Sequence, residues 1–305
     1  VRCLDVMEAV YHEDRLTKPL RRAREDRGKD AWEEITWDQA FDEIAAKLAE
    51  LRDKYGAETL AFTEGTARTW SWLHYKFTNL FGSPNTGGNG TICYSSDMWL
   101  EPCTYGGFCS DKSDWVNADL VILWGRNTDA SEPLLWDWVT TNRKERGAKL
   151  MVIDPRCSEV AQQADLWLQL RPGTDAALAL GMMNVIINED LYDHDFVEKW
   201  TYGFDEFAAR INDPELGMTP EKAAEICDVP VEDIYKAARL YATAKPASIA
   251  WGLAFDQNQN GNQAAHCVLA LMAITGNIDV PGGQIVAEFD AAPGVEDAPA
   301  AGEKQ

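Results

Sequence analysis

A strongly periodic segment of the chain begins at Thr36. Apolar residues follow at the spacing of one helix face, Phe41, Ile44, Leu48 and Leu51. Thr36 and Gln39 have the residue types of a capping box, and Gly56 stands where such a helix commonly ends. The pattern predicts an amphipathic helix between Thr36 and Gly56.

Short apolar runs alternate with helical segments along much of the remaining chain. The runs lack the alternation of half-exposed strands, so we predict buried strands at 59–63, 119–124, 149–153 and 248–252. The helical segments between them lie at 67–81, 133–146 and 263–275. Buried strands separated by helices indicate a parallel sheet with both faces covered. The predicted fold class is α/β, with parallel Rossmann-like sheets and helices on both faces.

A helical insertion is predicted before the last strand. The segment from Asp193 to Lys245 is mostly helical in pattern, and Thr219 and Pro220 have the types of an N-cap and a first helical residue. The final segment, 291–305, consists almost entirely of Ala, Pro, Gly and acidic residues. We expect that tail to be disordered, because it has too few large apolar side chains to form a core.

Glycines and polar residues directly follow the predicted strands. Ligands of parallel α/β sheets bind beyond the carboxyl ends of the strands, where this chain has Gly65, Gly125, Asp154 and Gly252. Five segments combine Gly, Asp and Asn in the way expected of a nucleotide site: WGRN (124–127), IDPR (153–156), RPGTD (171–175), WGLAFDQNQNGN (251–262) and TGNIDVPGG (275–283). Each segment by itself is also typical of an ordinary tight turn, so the evidence for a nucleotide site comes from the order of the five segments along the chain.

Composition and charge narrow the classes of function. The 305 residues include 28 Lys and Arg against 50 Asp and Glu, a formal charge of −22 that disfavours nucleic acid as a partner. No apolar run approaches the roughly 20 residues of a membrane span. The cysteines contain no CxxC pair, which argues against a disulfide scaffold or a structural zinc site; they stand at 3, 93, 103, 109, 157, 227 and 267.

Taken in order, the five segments resemble the molybdopterin oxidoreductase family, of the dimethyl sulfoxide reductase type. The resemblance begins at Tyr11, in YHEDRLTKPL, and extends to Gly283. It implies a bis-(molybdopterin guanine dinucleotide) cofactor with molybdenum or tungsten. One half of this cofactor is expected to contact Gly125, Asn127, Asp154, Arg156, Gly173 and Asp175. The other half is expected to contact Gly252, Asp256, Gln257, Asn277 and Gly283.

Cys93 stands in the Gly-rich segment GNGTICYSS, before a helix predicted to begin near Ser95. A lone cysteine is more often a small core residue than a ligand. In the family, however, this loop supplies the single protein ligand of the metal, so the resemblance implies that Cys93 is that ligand. A soft thiolate suits a metal that already has dithiolene sulfurs around it. We interpret Cys103 and Cys109 as packing residues.

The substrate class depends on finer points of the resemblance. Formate dehydrogenases of the family usually have His after the ligand, whereas Cys93 precedes Tyr94. GTICYS, DQN at 256–258 and GNIDVPGG are most similar to the acetylene hydratase and catechol dehydroxylase group, which acts on small unsaturated or aromatic substrates. Pocket-lining candidates, which also fit a plain core, are Trp70, Trp72, His74, Tyr94 and Trp99. Among them His74 is the candidate catalytic acid–base group.

The resemblance also implies regions that this sequence does not contain. Family chains begin with a domain that holds a four-iron four-sulfur cluster on four cysteines, and here only Cys3 stands near that position. They continue after Gly283 into the rest of a third domain and a barrel domain. We therefore expect 1–35 to be a remnant of the N-terminal region and 36–290 to contain the central α/β domains that bind the molybdopterin guanine dinucleotide. The expected partners are a small-molecule substrate and an iron–sulfur electron-transfer protein or the missing domains.

Alternative functions remain beside a hydratase or a reductive dehydroxylase. The chain fits an inactive truncated paralogue, or a cofactor-binding or interaction module, and within the family a nitrate- or other oxyanion-reductase-like enzyme. A nicotinamide-dependent dehydrogenase is disfavoured because no GxGxxG opens a helix after a strand. Residues 1–30 lack the pattern of a signal peptide. The sequence leaves the compartment open between the cytoplasm and an exported location, the latter if a preceding segment carries a signal.

Overall fold

The computed structural model of the chain describes residues 2–65, 71–88, 93, 95–109 and 113–288. The chain divides into two compact units with the boundary between Gly88 and Asn89. This boundary lies inside the segment 36–290, to which the sequence analysis assigns the central α/β domains. The predicted limits at residues 35 and 290 stay a prediction, and the predicted tail at 291–305 lies outside the described residues.

The described part of the first unit contains helices and two small pairs of strands. Its helices are α1 (Arg2–Tyr11), α2 (Trp37–Tyr55) and α3 (Ser71–Phe81), with short 3-10 turns at Arg24–Asp26 and Ala57–Thr59. Strands β1 (Leu20–Arg21) and β2 (Glu33–Glu34) pair antiparallel, whereas β3 (Phe62–Thr63) and β4 (Thr86–Gly87) pair in parallel. Of the predicted helix at 67–81, residues 67–70 lie outside the described residues, and α3 confirms the rest from Ser71 onward.

Helix α2 confirms the helix predicted from Thr36. The backbone N–H of Gln39 donates to Oγ1 of Thr36 at 3.2 Å, and the backbone N–H of Thr36 donates to Oε1 of Gln39 at 2.9 Å. The helix ends at Gly56, whose φ of 89° lies in the region that favours glycine. The strand predicted at 59–63 is shorter than expected, because a 3-10 turn occupies its first residue.

The second unit is built around a parallel sheet of four strands. Their order is β8 (Leu166–Leu168), β7 (Lys149–Ile153), β6 (Leu120–Trp124) and β9 (Ala247–Trp251). Three of these strands confirm predicted ones, while β8 has only three residues and was not predicted. One further pair, β5 (Gly107–Phe108) with β10 (Ala287–Glu288), is antiparallel.

Helices cover both faces of the four-stranded sheet, as predicted. In chain order they are α4 (Ser95–Tyr105), α5 (Thr128–Ser131), α6 (Pro133–Arg146), α7 (Glu159–Gln162), α8 (Asp175–Asn188), α9 (His194–Trp200), α10 (Phe204–Ile211), α11 (Pro220–Cys227), α12 (Val231–Thr243) and α13 (Gly261–Thr275). Successive residues of β6 face opposite sides: Ile122 and Trp124 belong to one buried cluster, Val121 and Leu123 to the other. This alternation within a fully buried strand gives the unit one apolar core on each face of the sheet.

Helix α8 was not predicted, although it is central to one of these cores. Its sequence, DAALALGMMNVIIN, is apolar on nearly every side, so it lacks an amphipathic pattern. Leu178, Met182 and Ile186 are completely buried, and the helix packs against α11, α12 and α13. The four helices α9 to α12 confirm the predicted insertion, with Thr219 as the N-cap of α11.

The helices of the described residues do not include one that is both long enough and apolar enough to cross a bilayer.

Candidate functional site

The carboxyl ends of three neighbouring strands meet at one edge of the four-stranded sheet. Trp124 pairs with Ile153 on one side and with Trp251 on the other, so the residues that follow these strands come level with one another. Gly125 and Gly252 continue the ladder: the Gly125 N–H donates to Ile153 at 2.7 Å, and the Gly252 N–H donates to Trp124 at 2.9 Å. This edge, with the loops that leave it, is termed the carboxyl edge below.

Two glycines allow the loops after β6 and β9 to lie directly against each other. A Cβ atom on Gly252 would overlap the backbone carbonyl oxygen of Gly125. Gly125 itself has a φ of +59°, and a Cβ there would come within 2.8 Å of the Cβ of Ala254. Neither position has room for a side chain, so the carboxyl edge presents bare backbone at this point.

The loop after β6 contains a buried acceptor without a donor. Oδ1 of Asn127 is inaccessible to solvent and has no hydrogen-bond partner. An unsatisfied buried acceptor costs about 1–3 kcal/mol, which a ligand with an N–H or O–H group would recover. The guanidinium of the neighbouring Arg126 is hydrogen-bonded inside the protein, since it donates to the Glu132 carboxylate through two bonds of 2.7 Å. Arg126 also donates to the Trp251 carbonyl at 3.1 Å.

Two nearly buried carboxylates belong to the loops at this edge. Asp175, at the start of α8, is 7% exposed, and its Oδ1 accepts a 2.8 Å hydrogen bond from the Trp124 indole. Burial raises the pKa of Asp175, the Trp124 hydrogen bond opposes that shift, and the nearby charge of Asp154 adds to it. Asp256, in the loop after β9, is 8% exposed. Acceptors of this kind suit a ligand edge that carries several N–H donors.

The remaining predicted residues of the edge are open to solvent. Asp154 turns the chain after β7, because its Oδ1 accepts the backbone N–H of Arg156 at 2.8 Å. The Arg156 side chain is exposed to solvent. Gln257 is also exposed, and nothing lies within 4 Å of a Cβ on Gly173, whose φ is +82°. An exposed guanidinium suits an anionic group such as a diphosphate.

Asn277 and Gly283 lie elsewhere, at the start of β9 and along its free edge. Oδ1 of Asn277 accepts the N–H of Ala247, the first residue of β9, at 3.0 Å. Oε1 of Gln284 accepts the N–H of Ile249 at 3.0 Å. A Cβ on Gly283 would come within 2.7 Å of the Asn277 carbonyl oxygen, so the turn between them is tightly packed. Asn277 and Gln284 cap an edge strand, whereas Gly283 bonds to Val280 and Asp114, and the carboxyl edge includes none of the three.

We expect Asn277→Ala to lower the free energy of unfolding by about 1–3 kcal/mol, because it leaves the buried N–H of Ala247 without an acceptor. Urea unfolding of the two proteins measures this difference. Gln263→Ala, which removes an exposed amide on α13, is the matched control and should change stability by less than about 0.5 kcal/mol. Equal stability of Asn277→Ala and the unmodified chain would contradict the capping role.

Cys93 is a half-buried free thiol two residues before α4 begins at Ser95. Most of the surrounding segment, 89–92 and Tyr94, lies outside the described residues. Cys109 is fully buried, which confirms its interpretation as a packing residue, whereas Cys103 is exposed on α4 and that interpretation was wrong for it. The described residues contain no group of three or more His, Cys, Asp and Glu side chains able to hold a metal ion. A metal at Cys93 therefore depends on ligands from outside this described set.

His74 lies in the first unit, on α3, and is 4% exposed. Its Nδ1 is 3.0 Å from Oε2 of Glu64, and its ring stacks on Phe62 at a centroid distance of 5.2 Å. Neither ring nitrogen has a partner with hydrogen-bond geometry. The sequence analysis did not predict Glu64 as a site residue. Its position directly after β3 could have indicated one, because ligands of parallel sheets bind beyond the carboxyl ends of the strands. Trp72, another predicted pocket-lining residue, is exposed on α3.

The other pocket-lining candidates divide between exposed and undescribed positions. Trp99 is exposed on α4. Trp70 and Tyr94 lie outside the described residues. A pocket-lining role for any of the four aromatic candidates therefore stays a prediction.

Known proteins with similar sequences match about nine-tenths of this chain. Acetylene hydratase of Syntrophotalea acetylenica is 39% identical over 282 residues, which cover 90% of this chain and 37% of that protein. Dimethyl sulfoxide reductase DmsA of Escherichia coli (strain K12) is 33% identical over 304 residues, with coverages of 90% and 37%. The chain thus spans less than two-fifths of the length of these relatives.

A solved structure supports the same relationship. Acetylene hydratase from Pelobacter acetylenicus superimposes with a TM-score of 0.77 at 37% identity, covering 92% of this chain and 38% of that one. The predicted α/β fold class and the predicted family resemblance are therefore confirmed. The model of the family described as molybdopterin oxidoreductase matches residues 15–292. With this match across most of its length, the chain belongs to the molybdopterin oxidoreductase family.

Proposed function

We propose that this chain is the central cofactor-binding part of a molybdenum or tungsten enzyme with a bis-(molybdopterin guanine dinucleotide) cofactor. The observation that carries the proposal is the carboxyl edge, where a buried acceptor without a donor on Asn127 accompanies the nearly buried carboxylates of Asp175 and Asp256. Guanine and pterin rings present adjacent N–H donors, which such acceptors bind. When bound, the cofactor supplies the metal and its dithiolene sulfurs.

The types of residue at the carboxyl edge fit the parts of a guanine dinucleotide. The Trp124 indole N–H donates to Oδ1 of Asp175 and so fixes the orientation of this carboxylate toward the edge of a guanine ring. Arg156 has the charge and the exposure to bind a diphosphate. Gly125, Gly173 and Gly252 let the backbone approach the ligand closely. Asp154, Asp256 and Gln257 complete the proposed contact set at the carboxyl edge. Asn277, whose Oδ1 accepts the Ala247 N–H, and Gly283, which bonds to Val280 and Asp114, lie apart from that edge and are left out of the set.

Cys93 is the proposed protein ligand of the metal. A single thiolate cannot hold a metal ion by itself, which agrees with a cofactor that brings the other ligands. Coordination would keep the Cys93 thiol ionised. His74 is the proposed acid–base group of the first unit, with Oε2 of Glu64 at 3.0 Å from its Nδ1.

The proposed reaction is hydration or reductive dehydroxylation of a small unsaturated or aromatic molecule. Its support is the 39% identity to acetylene hydratase, against 33% to dimethyl sulfoxide reductase DmsA. An iron–sulfur protein or domain that exchanges electrons with the metal centre is the proposed partner. A four-iron four-sulfur cluster would belong to that partner or to the longer enzyme.

Guanine recognition is testable with GDP as the probe. We expect the unmodified chain to bind GDP more tightly than ADP, and Asp175→Asn to weaken GDP binding by about 5- to 150-fold, because the amide turns a donor toward the guanine N–H groups. Burial raises the pKa of Asp175, so this carboxylate takes up a proton at a higher pH than an ordinary aspartate does. As the pH is lowered, GDP affinity should therefore start to fall at that higher pH. Isothermal titration calorimetry across pH measures both effects.

The control for this experiment is Asp137→Asn, which removes an exposed carboxylate on α6. It should leave GDP affinity unchanged. Equal affinity for GDP and ADP, or equal loss in both variants, would count against guanine recognition at the carboxyl edge. Absence of nucleotide binding would favour an inactive paralogue or an interaction module.

A further inference from the structure

Arg126, in the loop after β6, has a side chain that is 10% exposed and bonded to several parts of the unit. Its guanidinium donates to both carboxylate oxygens of Glu132 at 2.7 Å. It also donates to the carbonyl of Trp251, the last residue of β9, at 3.1 Å. The guanidinium carbon lies 5.4 Å from the centroid of the Trp115 ring. One side chain thus joins the loop after β6 to the end of β9 and to the segment that precedes β6.

The Arg126–Glu132 pair closes a ring around the short helix α5. Inside this ring, the Ser131 N–H donates to the Asn127 carbonyl at 3.1 Å, and the Ser131 hydroxyl donates to the same carbonyl at 2.9 Å. The Glu132 N–H donates to the Thr128 carbonyl at 2.8 Å. The two parallel bonds between guanidinium and carboxylate fix both the distance and the angle at which the ring closes. The backbone of Asn127 is therefore held in one conformation.

The ring holds an acceptor that the described part of the fold does not use. Oδ1 of Asn127 is inaccessible to solvent and has no hydrogen-bond partner among the residues that the structure describes. An unpaired buried acceptor is unfavourable, so a loop free to relax would turn it toward a donor or toward water. The Arg126 side chain opposes that movement, because its bonds to Glu132 and Trp251 would have to break. Arg126 thus keeps Asn127 in a conformation that is unfavourable without a ligand.

We propose that Arg126 is a positioning residue that determines the preference of the carboxyl edge for guanine over adenine. The inference rests on the proposed function, in which the acceptor of Asn127 binds an N–H group of guanine. Guanine carries N–H donors on its base-pairing edge, whereas adenine has a ring nitrogen acceptor there. An acceptor held in one place binds the first and repels the second. An asparagine on a loose loop turns away or presents its amide N–H groups instead, and the discrimination is lost.

Arg126→Lys tests the proposal, because lysine keeps the positive charge but cannot form two parallel bonds to Glu132. We expect GDP affinity to fall about tenfold, as for the loss of one hydrogen bond, and ADP affinity to change by less than about twofold. The preference for GDP over ADP should therefore also fall about tenfold. Isothermal titration calorimetry of the full chain with each nucleotide gives both affinities. Thermal unfolding of the same samples checks that the variant is folded.

A second variant, Glu132→Gln, keeps the proposal testable should Arg126→Lys fail to fold. It removes the charge at the other end of the pair and leaves the Arg126 side chain intact. The preference for GDP should fall here as well. The double variant should lose no more of that preference than Arg126→Lys alone, because the two residues act as one unit. Losses that add would show that the residues act separately and would overturn the proposal.

Arg143→Lys is the matched control. Arg143 is a partly buried arginine of the same unit, with its guanidinium 3.2 Å from the Asp165 carboxylate. This pair lies at the amino end of β8 rather than at the carboxyl edge, so the substitution should leave the preference for GDP unchanged. An equal fall of the preference in Arg143→Lys would overturn the proposal, since general loosening of the unit would then explain both results.

Two further outcomes separate this inference from the proposed function. Equal losses of GDP and ADP affinity in Arg126→Lys would overturn the inference, because Arg126 would then act on the diphosphate that both nucleotides share. So would a variant that prefers GDP as strongly as the unmodified chain does. An unmodified chain without a preference for GDP would overturn guanine recognition at the carboxyl edge and this inference with it.

Discussion

Cys93→Ala is expected to lower the molybdenum or tungsten content of the chain at least about tenfold, since even loss of a residue that only supports a metal ligand typically costs 10- to 100-fold in affinity. The side chain is a half-buried free thiol, so its removal leaves the two buried cores intact. The measurement is elemental analysis of protein purified anaerobically from a host that makes the cofactor. Pterin fluorescence after oxidation reports the organic part of the cofactor separately.

Cys103→Ala is the matched control for this substitution. Cys103 is an exposed thiol on α4, ten positions further along the chain, and its loss should not change metal content. Equal metal content in all three proteins would contradict the assignment of Cys93 as ligand. Pterin retained without metal in Cys93→Ala would separate the role of the thiolate from the role of the carboxyl edge.

Gly252→Ala is expected to lower the free energy of unfolding by about 1–3 kcal/mol, as overpacking of a filled site does. The added methyl group overlaps the backbone carbonyl of Gly125, which is not the movable end of a flexible side chain. Relief requires the loops after β6 and β9 to separate, and this strains the bonds from Gly252 to Trp124 and from Gly125 to Ile153. The same movement distorts the carboxyl edge, so GDP affinity should fall together with stability.

Gly65→Ala provides the control, because nothing lies within 4 Å of a Cβ at that position. Its loop conformation is not in the left-handed region, so the substitution should be neutral or slightly stabilising, by less than about 1 kcal/mol. Thermal unfolding and GDP titration of both variants make the comparison. A Gly252→Ala protein as stable as the unmodified chain would show that the two loops separate freely.

Much of the fold was predictable because its signals are local. The capping box of α2 depends on Thr36 and Gln39, three residues apart, and the ends of α6 are set by Pro133 and Gly147. Strands β6, β7 and β9 are short apolar runs in which every residue, or all but one, is buried. Each of these features is complete within a few residues, so periodicity and capping preferences determine it.

Other elements lacked such local signals. Helix α8 is apolar on nearly every side, and β8 is only three residues long, so neither shows a periodic pattern of apolar and polar residues. Both are stabilised by burial against elements distant in the chain. Similarity to known proteins, rather than physical pattern, carried the assignment of Cys93, and the residues that would surround it lie largely outside the described ones.

The sequence by itself determined the α/β class, the positions of most elements and the loops that form the carboxyl edge. Only the tertiary structure decided which polar residues serve that edge and which serve the fold. Asn277 caps Ala247 from 30 positions away, and Asp175 accepts a hydrogen bond from Trp124 across 51 positions. The reason is physical: a polar side chain takes its role from the donor or acceptor beside it, and chain folding, not sequence neighbourhood, brings that partner into place.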